Sequence, residues 1–202
     1  TLDFAEHKQL RAWQEIMSDV YYSLDIKRAN AHELRGKIRQ YDIGPVSITT
    51  FDSDEQRVFR TKSSIACDPD DSYVVVMPVI TDLYFIHSGR SGFVKPGGHV
   101  RVNTSEFYEL SCPDGFLNWT VKIPGEVLRQ RNPFVDDYTG CRFPIDRQMS
   151  HLARQHVRTL ATTFGNSCPR SSADLAHNLI DTIALVVNSE IRGSVRETHS
   201  KY

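Results

Sequence analysis

The sequence predicts an α+β fold that is mainly β: a β-barrel or jelly roll between an N-terminal helix and a C-terminal antiparallel helical hairpin. Three observations predict it. Apolar residues recur at helical spacing near both ends of the chain. Between about residues 35 and 123 the runs become short and strand-like. Those runs are separated by turn compositions, the pattern of sandwiches and barrels.

Residues 4–22 carry Phe4, Leu10, Trp13, Ile16, Met17 and Val20, most of them on one helical stripe. A charged loop follows. Strands are expected at 36–41, 45–51, 57–66, 72–80, 83–87, 92–95, 99–103, 107–112 and 116–123. DSDE, CDPDD, HSGRSG, KPGG, NTSE and CPDG lie between them. Glycine permits positive φ there, and Asp, Asn and Ser bond their own backbone. FLNWTVKI (116–123) alternates: Leu117, Trp119, Val121 and Ile123 share one face, Asn118, Thr120 and Lys122 the other. The first set is expected to be the buried face.

The helical period returns over 147–164, with Met149, Leu152, Val157, Leu160 and Phe164, and again over 173–191. GNSCPRSS (165–172) separates the two, which makes a hairpin. The expected division is 1–34 helix and loop, 35–125 barrel, 126–192 helical hairpin, and 193–202 a linker or cut end.

The 202 residues suffice for one substantial core. A net charge of −1 is no footprint for gripping DNA, because phosphate neutralisation supplies most of that affinity. No apolar run approaches the ~20 residues of a membrane span, and the polar N-terminus is no secretory signal. Cys67, Cys112, Cys141 and Cys168 form no C-x-x-C pair and read as reduced thiols of a cytoplasmic protein.

FVKPGGHVRVNTSEFYEL (93–110) places two glycines, a histidine, a strand, a turn and a second strand in series. Metal-binding cupin barrels use a similar hairpin, and three or four converging ligands. Counted from Gly97, however, their histidine position falls on Tyr108, and residues 60–71 contain no histidine for a first ligand block. His99 is alone and off position. No metal and no cofactor is expected. His151 and His156 are five apart, not four, and no nucleophile elbow or phosphate loop occurs.

The ordered set GPVSITTF, VFRTKSSIA, DPDDSYVVVMPV, GRSGFVKPGGHVRVNTSEFYEL and LNWTVKIPGEVL, followed by a helical hairpin, resembles the N-terminal cupin-like ligand-binding domain of AraC-type transcription regulators. It is similar to the branch that responds to aromatic amines, acids and nitrile-related compounds. The resemblance covers roughly residues 10–190. It departs at Gly98, where the family usually has Asp after the turn glycine, and no helix-turn-helix half follows residue 192.

The resemblance implies a bacterial, cytoplasmic effector sensor and dimerisation domain, not an enzyme. A small aromatic or carboxylate-bearing molecule would sit in the barrel, and DNA would be met only through an absent C-terminal half. The competing class is a cupin isomerase or oxygenase, for which no acid–base pair is visible. Strand parity names Trp119 and Val121 as pocket residues, with plain core packing the alternative for Trp119 and for Met77. Tyr108 is expected to point inward from the matched histidine position. Tyr73 and Met77 share one face of 72–80, and which face is inward stays open. Arg60 is expected either to pair with an effector carboxylate or to bond turn carbonyls. His87 is expected to donate to a ligand or to be structural. Leu179, Ile183, Val186 and Val187 are expected either to leave a stripe for a twofold partner or to be covered within the monomer.

Overall fold

The computed structural model describes residues 2–28, 35–144, 148–163 and 172–199. It is mainly β, with two antiparallel sheets that pack on each other and do not close into a barrel. The chain runs α1 (Leu2–Val20), β1 (Asp25–Arg28), β2 (Gly36–Ile43), β3 (Val46–Ser53), β4 (Gln56–Arg60) and α2 (Lys62–Cys67). Then come β5 (Ser72–Pro78), β6 (Leu83–His87), β7 (Arg90–Val94), β8 (His99–Asn103), β9 (Tyr108–Cys112) and β10 (Phe116–Pro124). It ends with α3 (Gly125–Arg131), a 3₁₀ turn (Asp136–Tyr138), β11 (Arg142–Phe143), α4 (Gln148–Thr163) and α5 (Ser172–His199).

One sheet has the order β1-β4-β9-β6-β7 and the other β11-β8-β5-β10-β3-β2. β10 is interior to the six-stranded sheet, with Val121 opposite both Ile48 and Val75, and Asn118 opposite Phe51 and Pro78. Helices cover one face of this sheet and the second sheet covers the other, so the two parities of β10 serve two different cores. The outward parity of β3, β5 and β10 (Ile48, Tyr73, Val75, Met77, Val121 and Ile123) packs under Leu128 of α3, Val157 and Leu160 of α4, and Leu179 and Ile183 of α5. The inward parity (Phe51, Val74, Val76 and Phe116) meets Val58, Leu83, Phe85 and Tyr108 of the other sheet, with Trp13 and Met17 of α1.

Four expectations are corrected. Residues 25–28, read as loop, form the edge strand β1. The strand expected over 57–66 stops at Arg60, because Thr61 and Ser64 form a capping box that starts α2. Residues 142–143, assigned to the 126–192 helical hairpin segment, pair with β8 as β11. The helix expected to end at 191 continues to His199, through most of the presumed linker.

Two glycines explain local geometry. Gly44, with φ of 57°, turns β2 into β3, and a Cβ there would lie 3.2 Å from Ala176 Cβ on α5. At Gly98 a Cβ would come 2.9 Å from the Phe143 carbonyl oxygen. The pairing of β11 with β8 therefore leaves no room for the aspartate usual at this turn in the resembling family.

Candidate functional site

A cavity of about 40 Å³ lies between the sheets. Its walls come from three sources. Val74, Val76, Val102, Asn118 and Thr120 belong to the six-stranded sheet; Val58, Tyr108, Leu110 and Cys112 belong to the five-stranded one; Met17, Tyr21, Tyr22 and Leu24 come from α1 and the turn after it. A water needs roughly 10–15 Å³ by this measure, so there is room for about three. Among the described residues, no charged side chain borders the cavity.

The polar atoms here are hydroxyls and one amide. Tyr22 and Tyr108 share a hydrogen bond of 2.6 Å, and Tyr21 and Thr120 share one of 2.8 Å. The Asn118 side-chain oxygen is buried and has no hydrogen-bond partner. Burial holds the Tyr21 hydroxyl up at about 12 and pushes Tyr22 and Tyr108 further above the ordinary tyrosine value. All three phenols are therefore neutral. Burial likewise raises the Cys112 thiol, which stays protonated.

The aromatic turn after α1 is clamped from several sides. Arg60 and Lys122 lie 4.7 and 5.0 Å from the Tyr22 ring centre. Lys122 also donates to the Tyr21 carbonyl at 2.9 Å and pairs with Asp70 at 2.6 Å. Trp13 donates its indole N–H to Gln56 Oε1 at 3.0 Å. α1 is thus tied to both sheets beside the cavity.

Of the residues expected in the pocket, Tyr108 lines this cavity. Trp119, Val121, Tyr73 and Met77 do not: they lie on the opposite face of the sheet, in the core beneath the helices. The apolar parity of β10 is indeed buried, but against α4 and α5. Trp119 sits at the margin of that core with the Arg154 guanidinium 5.4 Å from its ring. Tyr73 donates to Asp136 Oδ1 at 2.5 Å and accepts from Arg129 at 3.0 Å.

Arg60 is fully buried and takes the second of its two expected uses. It donates to the carbonyls of Thr104, Ser23, Ser64 and Asp68, at 3.0, 2.8, 3.1 and 2.6 Å. Four of its five N–H donors are consumed by backbone, so it fixes the β4–α2 corner. His87 is also structural. Its Nε2 accepts from the Asn103 N–H at 3.0 Å, so the proton is on Nδ1, which donates to the Phe107 carbonyl at 3.0 Å. Burial lowers its pKa. His99 stacks on Phe143 with ring centres 4.7 Å apart, and burial beside Arg101 pushes it down to about 3. Among the described residues, no three of His, Cys, Asp or Glu converge in a way that would hold a metal.

Leu179, Ile183, Val186 and Val187 are buried within this chain, so they offer no free stripe to a partner. The first two pack on the sheet; the others pack with Phe143 and Ala153. The cavity's own polar residues, Tyr21, Tyr22, Asn118 and Thr120, escaped the sequence reading. Asn118 and Thr120 occupy the parity of β10 that looked solvent-facing, and Tyr21 and Tyr22 lie where helix gives way to loop. A second sheet covering that parity is what turns them inward.

Comparison with known proteins bears on this architecture. The crystal structure of the AraC-like transcriptional activator CuxR superposes with a TM-score of 0.78 over 89% of this chain and 66% of its own, at 13% identity, which speaks for the fold alone. An uncharacterised protein in the nit 5′ region of Bacillus sp. (strain OxB-1) is 20% identical across 99% of this chain and 78% of its own length. The transcriptional activator NphR of Rhodococcus sp. is 27% identical over 90 residues, 45% of this chain and 27% of NphR. Among the described residues, no helix is long and apolar enough to cross a membrane. The model of the AraC-binding-like domain matches residues 13–187, most of the sequence and nearly every element traced above, and the chain belongs to that family.

Proposed function

We propose that this chain is the effector-sensing domain of a cytoplasmic transcription regulator, not an enzyme, and that the effector occupies the cavity between the two sheets. One observation carries the reading: Met17, Tyr21, Tyr22 and Leu24, from α1 and its following turn, form a wall of that cavity. A ligand shifts a conformational equilibrium only by contacting the two states differently. A ligand here meets strands on two sides and a helix end on the third. At about 40 Å³ the cavity is far below the ~300 Å³ of an ordinary ligand pocket. Any ring-sized effector must therefore displace wall side chains, and movement of Tyr21 or Tyr22 would disturb the bonds that hold the turn after α1. In a longer protein with a DNA-binding half, that movement would bias the DNA-competent arrangement. A twofold partner would engage groups other than the four buried residues of α5.

Two tryptophans make this testable. Trp13 rides on α1, and Trp119 lies on the opposite face of the sheet. A thermal-shift panel of small aromatic acids, amines, amides and phenols identifies binders, since binding to the native state raises its stability. For those binders, Trp119→Phe protein, which keeps Trp13, is expected to change its emission on binding. Trp13→Phe protein is expected to stay silent. A response confined to Trp119 overturns the proposal.

A further inference from the structure

The site proposed above has a chemical bias that names its ligand class. We propose that the cavity selects an uncharged, largely apolar molecule bearing one group that both donates and accepts hydrogen bonds, such as a phenol, an alcohol or a carboxamide, and that it rejects carboxylates and amines. The inference rests on the effector-sensing reading.

Charge sets the first limit on what can enter. An ion taken into an apolar interior needs a counter-charge or a full set of hydrogen bonds, and otherwise gives up its ionised form. No charged side chain borders the cavity among the described residues. The two nearby cations are committed elsewhere. Arg60 spends four donors on backbone carbonyls, and Lys122 pairs with Asp70 while bonding the Tyr21 carbonyl. A carboxylate would meet no free cation, and an ammonium no anion.

The polar groups then define what fits. The Asn118 oxygen is an acceptor on a side chain only 5% exposed, and it has no partner. Leaving such an atom unsatisfied is unfavourable, so a donor that reaches it gains more than the same donor would in water. The Tyr22–Tyr108 contact joins two hydroxyls through one hydrogen bond. Each hydroxyl owns one proton, so whichever donates within the pair, the other retains an O–H for a ligand acceptor. The cavity therefore offers an acceptor and a donor among apolar walls. A carboxamide N–H and C=O, or one hydroxyl, complements both. A hydrocarbon satisfies neither.

The test uses isosteric pairs on the intact chain by titration calorimetry: isobutyramide against isobutyrate, benzamide against benzoate, and benzyl alcohol against benzylamine. The neutral member of at least one pair is expected to bind, with its charged isostere at least ~100-fold weaker. Asn118→Leu is expected to weaken the neutral ligand by about 10-fold or more, and Thr120→Val serves as a milder second variant. A carboxylate or amine that binds as tightly as its neutral isostere overturns the proposal, as does failure of every neutral member. The Trp13 response separates the two ideas. If benzoate binds and moves Trp13 emission, the ligand class is wrong and the site stands. If binding leaves Trp13 unmoved, the site itself is wrong.

Discussion

On β10, the outward side chains Val121 and Ile123 are covered completely by the helices, whereas the inward Asn118 and Thr120 border a cavity that keeps an unpartnered amide oxygen. The two faces of one strand thus follow different rules. The outer face is packed to exclusion, as a protein interior is when stability is its task. The inner face tolerates a void and an unmet hydrogen bond, both of which cost stability. Two buried arginines repeat the contrast with the sign reversed. Arg60, near the cavity, gives four of its five donors to backbone carbonyls, while Arg101, on the outer face, has Nε and Nη1 without partners and lies over Phe143 at 5.4 Å. The packed face is therefore not the better satisfied in every detail.

The largest effect expected from this contrast is on the outer face. Leu179 is fully buried between α5 and the sheet. Leu179→Ala should cost about 2–5 kcal/mol, the transfer term plus the cavity it leaves. Chemical denaturation checks it. A loss below 1 kcal/mol would mean that the hairpin does not form a close-packed layer on the sheet, and the comparison would break.

The next effect comes from the buried histidines. His99 has an ordinary pKa of 6.5 when unfolded and is pushed down to about 3 in the fold, first by burial and then by Arg101. The unfolded chain therefore binds a proton that the folded chain refuses. Stability is present above pH 6.5 and is lost as pH falls from there toward the folded value, by about 1.4 kcal/mol per pH unit at most. His87, also lowered by burial, adds loss of the same sign. His99→Phe, which preserves the stack on Phe143, should flatten the acid limb measured between pH 7 and 5. An unchanged limb would show that His99 is solvated.

Much of this fold was legible in the sequence, and the reason is local. The turns at 96–98 and 103–106 and the alternation over 116–123 reflect backbone preferences and side-chain parity that each segment carries by itself. What stayed hidden required knowledge of neighbours. Parity separates Trp119 and Val121 from Asn118 and Thr120, but it cannot say that both sides are covered, nor which cover is a ligand site. Apolar character predicts burial, and so points Trp119 and Val121 at the cavity. In fact the apolar set supplies the helix-facing core, and the more polar set lines the cavity. Arg60 admitted two uses on sequence grounds, and only the spatial convergence of Ser23, Ser64, Asp68 and Thr104 carbonyls chooses between them. β1 escaped because DIKR has too little apolar content to read as a strand. It is held by pairing of Asp25–Arg28 with Phe59–Gln56, an interaction between segments distant in sequence.

The smallest effect expected is also the sharpest test of the inner face. Val102 lies on β8, is 1% exposed and borders the cavity. Val102→Ile adds one methylene where about 40 Å³ is free. If the void is real and accessible to that side chain, the added group fills it without strain and stabilises the fold by up to about 0.8 kcal/mol. The same change should weaken any effector that uses the cavity, so stability and affinity move in opposite directions. A close-packed interior predicts otherwise, since overpacking costs about 1–3 kcal/mol. A destabilised Val102→Ile protein would show that the space between the sheets cannot admit even one carbon, and the inner face would then join the outer one as plain core. A stabilised protein with weakened binding would tie the void to function, because the methylene that improves the fold would be occupying the ligand's place.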